Sequence, residues 1–329
     1  MKQILLFTGL LMASFSFSQS INKDNIDKLI QLCDSTKADE ILISYKGEII
    51  THWKRTSFDN CLIVEGESKC NDSLMNTASM LKSWVGVLIG IAIDKGLIES
   101  VDTPVCQYLP EWEQGCTNQI TIKHLLTMSA GIRNKAAGNS ILVQRDMNSY
   151  VVNIKPDTLP EIYFSYSNES VQILGLIIEK VTQKDLDKVF DEFLFKKLNM
   201  NSTNLEKDSV GNTVAFGGCQ TTVLDAHNLA LMMLNKGEFN NERVVSENWI
   251  TQSLMPSKKA QYYGYLWWLD KKSNPWNYAA TGDLGNMTII FPEIDLIFIR
   301  RQSCDMSKSS KSMTWMGPIF LKSISDIIQ

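Results

Sequence analysis

The sequence predicts an α/β fold of the α+β type: an antiparallel sheet flanked by helices, built from both chain ends, with a helical lobe inserted between them. Three observations lead there. β-rich runs at hairpin spacing occur early, at 40–45 and 49–53, and again late, at 276–281, 287–291 and 296–300. The stretch from about 99 to 257 carries helical periodicity and loops instead. A sheet that draws strands from both termini needs helices to cover its faces. The expected division is 1–18 as a signal peptide, 19–98 plus 258–329 as the sheet lobe, and 99–257 as the mainly helical lobe, the two lobes forming one unit.

Taken in order, Met1-Lys2-Gln3 is a short basic start, 4–17 is almost wholly apolar or small, and Ser16 and Ser18 stand where a signal peptidase reads. Cleavage is expected after Ser18. The run is shorter than the roughly 20 apolar residues of a membrane span, and no cysteine follows it closely enough for a lipid anchor. The mature chain is therefore expected in the periplasm or outside the cell, without stable membrane insertion.

Residues 21–34 have helical spacing, with Ile26, Leu29, Ile30 and Cys33 on one face. Lys46-Gly47-Glu48 joins the first two strands, and 61–64 reads as another. A helix then runs from Ser79 to a stop at Lys95-Gly96. Its apolar stretch 84–93 is about half a membrane span and reads as a core helix. Further helices are expected at 122–129, ended by Gly131, and at 171–182, 185–195, 224–236 and 246–254. Strand character returns at 262–269, and a closing helix falls within 313–328.

The formal net charge of −4 gives no sign of a nucleic-acid partner. The seven cysteines suit an oxidising compartment. Cys61–Cys70 and Cys106–Cys116 are close enough in sequence to close small loops, although spacing does not establish either pair. Cys33 and Cys219 read equally well as buried thiols, and one of the seven, Cys304 included, must stay unpaired. His52, His124 and His227 are scattered, and the latter two fall in expected helices where packing is their ordinary role. No metal-ligand spacing or glycine-rich phosphate loop occurs, so neither a metal nor a cofactor is expected.

Three stretches carry chemistry. In Ser79-Met80-Leu81-Lys82 the serine and lysine are three apart, on one face of a helix, so the amine reaches the hydroxyl. Burial lowers a lysine pKa from its ordinary value of about 10.4 and makes the amine a base. Serine is a weak nucleophile until such a base takes its proton. Chance produces this spacing too, as in Ser20-Ile21-Asn22-Lys23. Second, Tyr166-Ser167-Asn168 precedes a helix and presents a phenol for proton relay and an amide for a substrate carbonyl. Taken alone it reads first as an N-cap with a packed tyrosine. Third, Gly282-Asp283-Leu284-Gly285 lies between two strands, where glycines permit close backbone approach to a ligand or simply make a turn.

The ordered set of Ser79-x-x-Lys82, Asp102-Thr103-Pro104, Tyr108-Leu109-Pro110, His124-Leu125-Leu126-Thr127-Met128-Ser129-x-Gly131, Tyr166-x-Asn168 and Phe291-Pro292-Glu293 resembles the serine β-lactamase-related hydrolases. That group includes class C β-lactamases, D-alanyl-D-alanine carboxypeptidases, esterases and nylon-oligomer hydrolases. The resemblance runs from about Asp39 to Arg301 and implies a site between a sheet lobe and a helical lobe. It implies Ser79 as acylated nucleophile, Lys82 as its base, Tyr166 as proton relay and Asn168 as a substrate contact. The family's third motif, Lys-Thr-Gly or a His variant, falls on Ala280-Thr281-Gly282, with alanine in place of the cation. Thr281 and Gly282 are then substrate contacts, and the N–H groups of Ser79 and Asp283 form the oxyanion hole. The expected substrate is a small ester, amide or peptide. Asp283 is expected to disfavour anionic substrates unless Arg133, Arg300 or Arg301 compensates.

Overall fold

The computed structural model describes residues 20–55, 63–64, 67–68, 74–135, 140–302 and 317–329. The expected signal peptide, Cys61, Cys70, Cys304 and the start of the 61–64 strand lie outside the described residues. In chain order the strands are β1 (Glu40–Tyr45), β2 (Glu48–Lys54), β3 (Ile63–Val64), β4 (Glu67–Ser68), β5 (Met75–Asn76), β6 (Asn204–Leu205), β7 (Cys219–Thr221), β8 (Glu238–Phe239), β9 (Glu242–Arg243), β10 (Trp268–Asp270), β11 (Asn277–Thr281), β12 (Met287–Phe291) and β13 (Leu296–Arg301). The α-helices are α1 (Lys23–Ser35), α2 (Leu81–Asp94), α3 (Glu113–Thr117), α4 (Ile122–Leu126), α5 (Met147–Val152), α6 (Asn168–Thr182), α7 (Leu186–Phe190), α8 (Val223–Leu234), α9 (Glu247–Ser253) and α10 (Pro318–Ser325).

The central sheet has the order β10-β11-β12-β13-β1-β2 and is antiparallel throughout. Its middle joins the chain ends: Glu40 to Tyr45 of β1 pair with Arg301 to Leu296 of β13. Both strands are buried at every position, because helices cover both faces. That is why they read as continuous apolar runs rather than alternating ones. On one face Ile41, Ile43, Phe298 and Met287 pack with Cys33 of α1 and Phe320 of α10. On the other, Leu42, Ile297 and Ile299 join the large core built around α2. Residues Leu81 to Ala92 of α2 are all buried, as befits a helix that is apolar all round.

A small three-stranded sheet, β5-β7-β6, sets the entry to α2. Met75 and Asn76 pair with Thr221 and Gln220, and the Thr77 N–H donates to the Cys219 carbonyl at 2.8 Å. The residues before α2 are thereby fixed beside 216–219. Cys106 and Cys116 form a disulfide, and Cys33 and Cys219 are buried free thiols.

Two expected elements differ. The 122–129 helix ends at Leu126, because Met128 takes a left-handed backbone (φ 55°) and its carbonyl accepts from the Ser165 N–H. Of the aromatic run 262–269, only the last two residues enter a strand, in Trp268–Asp270. The others turn, with Leu266 at φ 62°, and use their rings for packing.

Candidate active site

Ser79 lies in a 3-10 turn, Ala78–Met80, at the mouth of α2. Ala78 holds a left-handed backbone (φ 44°), uncommon for a residue with a Cβ. The Asn76 side chain supports it by accepting from the Ala78 N–H at 2.7 Å. Such local strain persists only where the surroundings over-determine it. One turn on, Lys82 is 1% exposed. Its Nζ donates to Ser79 Oγ at 2.9 Å and to the Phe216 carbonyl at 2.7 Å. Burial lowers its pKa to about 7, although Asp283 and Glu169 pull the other way. Near neutral pH a substantial fraction of Lys82 is thus an uncharged amine beside a hydroxyl.

Tyr166 closes the group. Its phenol is hydrogen-bonded to Ser79, and Lys82 Nζ lies 5.0 Å from its ring centroid. Burial raises the phenol pKa to about 12, with the Ser79 hydrogen bond opposing and the Asp283 charge adding. Two titratable groups of one site are thus pushed apart, Lys82 toward a base and Tyr166 toward a proton donor. The helix cap and the contact of Tyr166 with Ser79 coexist in this stretch. Ser167 caps α6 by accepting from the Ser170 N–H at 3.1 Å, and that cap aims the preceding Tyr166. Glu169, 1% exposed, accepts from Ser167 Oγ at 3.1 Å through Oε2. Asn168 opens α6, and its N–H donates to Asn134 Oδ1 at 2.8 Å. Trp268 stacks on Tyr166 (centroids 5.7 Å, 25° between planes) and Tyr262 stacks on Trp268 (6.2 Å, 10°). This aromatic wall was not legible in the sequence, where 262–269 reads as an ordinary strand.

The third stretch meets Ser79 from the sheet. β11 carries buried Ala280 and half-buried Thr281, which pairs with Met287. Gly282 follows, so close to the Ser79 turn that a Cβ on it would stand 2.3 Å from the Thr77 carbonyl oxygen and 3.3 Å from the Ser79 nitrogen. Asp283 is exposed, but its charge is felt at both Lys82 and Tyr166.

The three arginines that could compensate for the missing cation have other partners. Arg300 and Arg301 are buried in β13, and Arg301 meets Glu40 at 3.3 Å. Arg133 Nε donates to the Tyr163 hydroxyl at 2.6 Å. The histidines also have structural partners: His124 completes a capping box with Thr121, rather than only packing, and buried His227 meets Ser44 Oγ at 2.8 Å.

The fold and this grouping place the chain in a class, the serine hydrolases with a Ser-x-x-Lys pair between a sheet and a helical region. A family model described as Beta-lactamase matches residues 64–300, and the chain belongs to that family. The 6-aminohexanoate-dimer hydrolase of Paenarthrobacter ureafaciens is 22% identical over 311 residues, covering 84% of this chain and 75% of that one. A β-lactamase of Yersinia enterocolitica is 24% identical over 156 residues, 47% of this chain and 40% of that protein's length. Among solved structures, a putative 6-aminohexanoate-dimer hydrolase from Bacillus anthracis superposes with a TM-score of 0.74 at 18% identity, covering 91% of this chain and 80% of that one. A putative β-lactamase from Bacteroides dorei does so with 0.74 at 17% identity, covering 94% and 99%. The chain is therefore a serine hydrolase of the β-lactamase-related family, acting on amide or ester bonds.

Proposed function

We propose that this protein is an exported hydrolase that cleaves an ester or amide through an acyl-enzyme on Ser79. The observation that carries the reading is the buried Lys82 amine, 2.9 Å from Ser79 Oγ with its pKa near 7. Lys82 takes the serine proton as Ser79 attacks the carbonyl carbon. The oxyanion accepts from the N–H groups of Ser79 and Asp283, each worth about 3–4 kcal/mol of transition-state stabilisation. Tyr166, protonated across the neutral range, delivers a proton to the leaving group and is reprotonated by the Lys82 ammonium, which returns the amine to its neutral form. Water then attacks the acyl carbon as it gives a proton to Lys82, and that proton passes to Ser79 Oγ as the acyl bond breaks. Asn168, Thr281 and Gly282 are the proposed substrate contacts. Export is supported by the signal-like start and by the Cys106–Cys116 disulfide.

A neutral substrate is favoured over a carboxylate-bearing one. The third motif has Ala280 where the relatives' cation would be, and the charge nearby is Asp283. The rival readings are a β-lactamase or D-alanyl-D-alanine carboxypeptidase, and a member of the fold that binds or acylates without turnover. Labelling with a fluorophosphonate and mapping the adduct tests Ser79. Steady turnover of a neutral short-chain p-nitrophenyl ester excludes the binder. Faster turnover of nitrocefin than of the ester would overturn the neutral-substrate reading.

A further inference from the structure

We propose that Arg300 is the positioning residue of the oxyanion turn and that it acts from the opposite face of the sheet. The inference rests on the reading of the Asp283 N–H as an oxyanion donor. That N–H belongs to the short turn 282–286 joining β11 to β12. The turn closes on itself through Gly282 N–H to the Asn286 carbonyl at 2.8 Å. Within it Leu284 and Gly285 both take left-handed backbones, at φ 64° and 78°. For a leucine that conformation is strained, so something must hold it. Two consecutive residues of this kind leave their carbonyls without a strand partner. Arg300 Nη1 takes up both, donating to the Leu284 carbonyl at 3.1 Å and to the Gly285 carbonyl at 2.8 Å.

The guanidinium is itself anchored. Nη2 donates to the Thr36 carbonyl at 2.8 Å and to Gln302 Oε1 at 3.1 Å, and the residue is wholly buried. A guanidinium is a rigid planar fork, so four bonds on it fix the relative places of the groups it joins. Arg300 pairs with Met287 across the β12–β13 ladder, on the face that carries α1 and α10. It therefore touches neither Ser79 nor the substrate side. Asn286 supplies the second fixing point. Its Nδ2 donates to the Asn76 carbonyl at 3.1 Å and its Oδ1 accepts from the Gln302 N–H at 2.6 Å. Asn76 is the residue that holds Ala78 in front of Ser79. Arg300, Gln302, Asn286 and Asn76 thus form one chain of contacts from the far face of the sheet to both proposed oxyanion donors. Their mutual geometry matters because a displacement of about 1 Å at such a site costs on the order of a hundredfold in rate.

The test compares wild type with Arg300→Lys, and with Arg300→Lys combined with Leu284→Gly, on a neutral p-nitrophenyl ester. Arg300→Lys keeps the charge and loses the fork. It should lower kcat by about 30- to 100-fold with KM within about threefold, by the same displacement argument. Affinity for an alkylboronic acid, which mimics the tetrahedral adduct, should fall in parallel. The acid limb of the pH–rate profile, set by Lys82, should stay in place. Leu284→Gly relaxes the strain that Arg300 opposes, so the double variant should regain part of the lost kcat. A folded Arg300→Lys enzyme with wild-type kcat and boronate affinity overturns the proposal. So does a loss that the glycine does not relieve. Should Arg300→Lys fail to fold, Gln302→Ala, which removes one anchor of the fork, must lower kcat several-fold at constant KM; unchanged kcat there overturns the proposal. Wild type that neither labels with fluorophosphonate nor turns over the ester overturns the acyl-enzyme reading instead.

Discussion

Gly282 faces the carbonyl of Thr77 so closely that a methyl group on it would stand 2.3 Å from that oxygen. The constraint is one of space, not of backbone conformation: Gly282 has φ −130°, which any residue adopts. The obstructing atom is backbone, two residues before Ser79, and Asn76 and the pairing of β5 with β7 hold that segment in place. Gly282→Ala must therefore push the end of β11 away from the Ser79 turn. We predict a loss of about a hundredfold in kcat/KM, with a destabilisation of about 1–3 kcal/mol. Ester kinetics beside a urea melt check it. An alanine variant of full activity would mean that the two segments can part without disturbing the chemistry.

In the proposed mechanism the Lys82 amine sets the pH dependence. Burial lowers its pKa to about 7, and only the neutral amine accepts the Ser79 proton. Activity should rise through about pH 7 and level off above it, with no descending limb until Tyr166 ionises near 12. Stability moves with pH in the same direction, over a higher window. A lysine with a depressed folded-state pKa binds a proton more tightly when unfolded, so stability climbs as pH rises from about 7 to the ordinary lysine value. Lys82→Met should abolish acylation and raise the melting temperature at pH 7. A variant that still labels with fluorophosphonate at a near-normal rate would point to a different base.

Tyr166 is held from two directions, by Lys82 at 5.0 Å from its ring and by the stacked Trp268. Tyr166→Phe removes only the proposed proton donor, and by the usual size of general-acid effects it should lower kcat by about 10²–10⁴-fold. Trp268→Ala leaves the phenol but frees its ring. It should lower kcat by less, and it should steepen the dependence on leaving-group quality less than Tyr166→Phe does. A series of substituted phenyl esters separates the two. Equal leaving-group sensitivity in wild type and Tyr166→Phe would remove the phenol from the proton-transfer step.

How much of this was legible in the sequence follows from which interactions are local. The Ser79–Lys82 pair was readable because three residues of helix fix the approach, although the serine itself proved to lie in a strained 3-10 turn. Strands 40–45 and 287–291 were readable with their bounds because their apolar runs end in turn residues. The Phe216 carbonyl that shares the Lys82 amine left no trace, because a backbone oxygen has no residue signature. Arg300 was misread as a possible partner for a substrate anion. Its role depends on which face of β13 it occupies, and period-two alternation is masked where both faces are buried. The aromatic segment before Trp268 was misread as strand for a related reason: the rings that favour strands also pack around Tyr166.

Asp283 offers the sharpest test of substrate class. Its N–H is the proposed donor, so Asp283→Asn should leave neutral ester turnover within a few-fold, since the backbone remains. Its carboxylate is exposed, which limits how strongly it repels an anionic substrate. Two like charges about 6 Å apart repel by roughly 3 kcal/mol at an effective dielectric near 20, and by about 0.7 kcal/mol in bulk water. Exposure places the pair between these limits, so the gain on a carboxylate-bearing β-lactam should lie between about threefold and a hundredfold. Raising the ionic strength should shrink that gain, because salt screens exposed charges. The same substitution removes a charge that raises the Lys82 pKa, so the acid limb of ester turnover should shift to lower pH. Measuring both substrates at two ionic strengths and across pH 5–9 separates the effects. An equal change on ester and β-lactam, with the acid limb unmoved, would place the carboxylate away from both the substrate and Lys82 and would assign the second oxyanion donor to another residue of the turn.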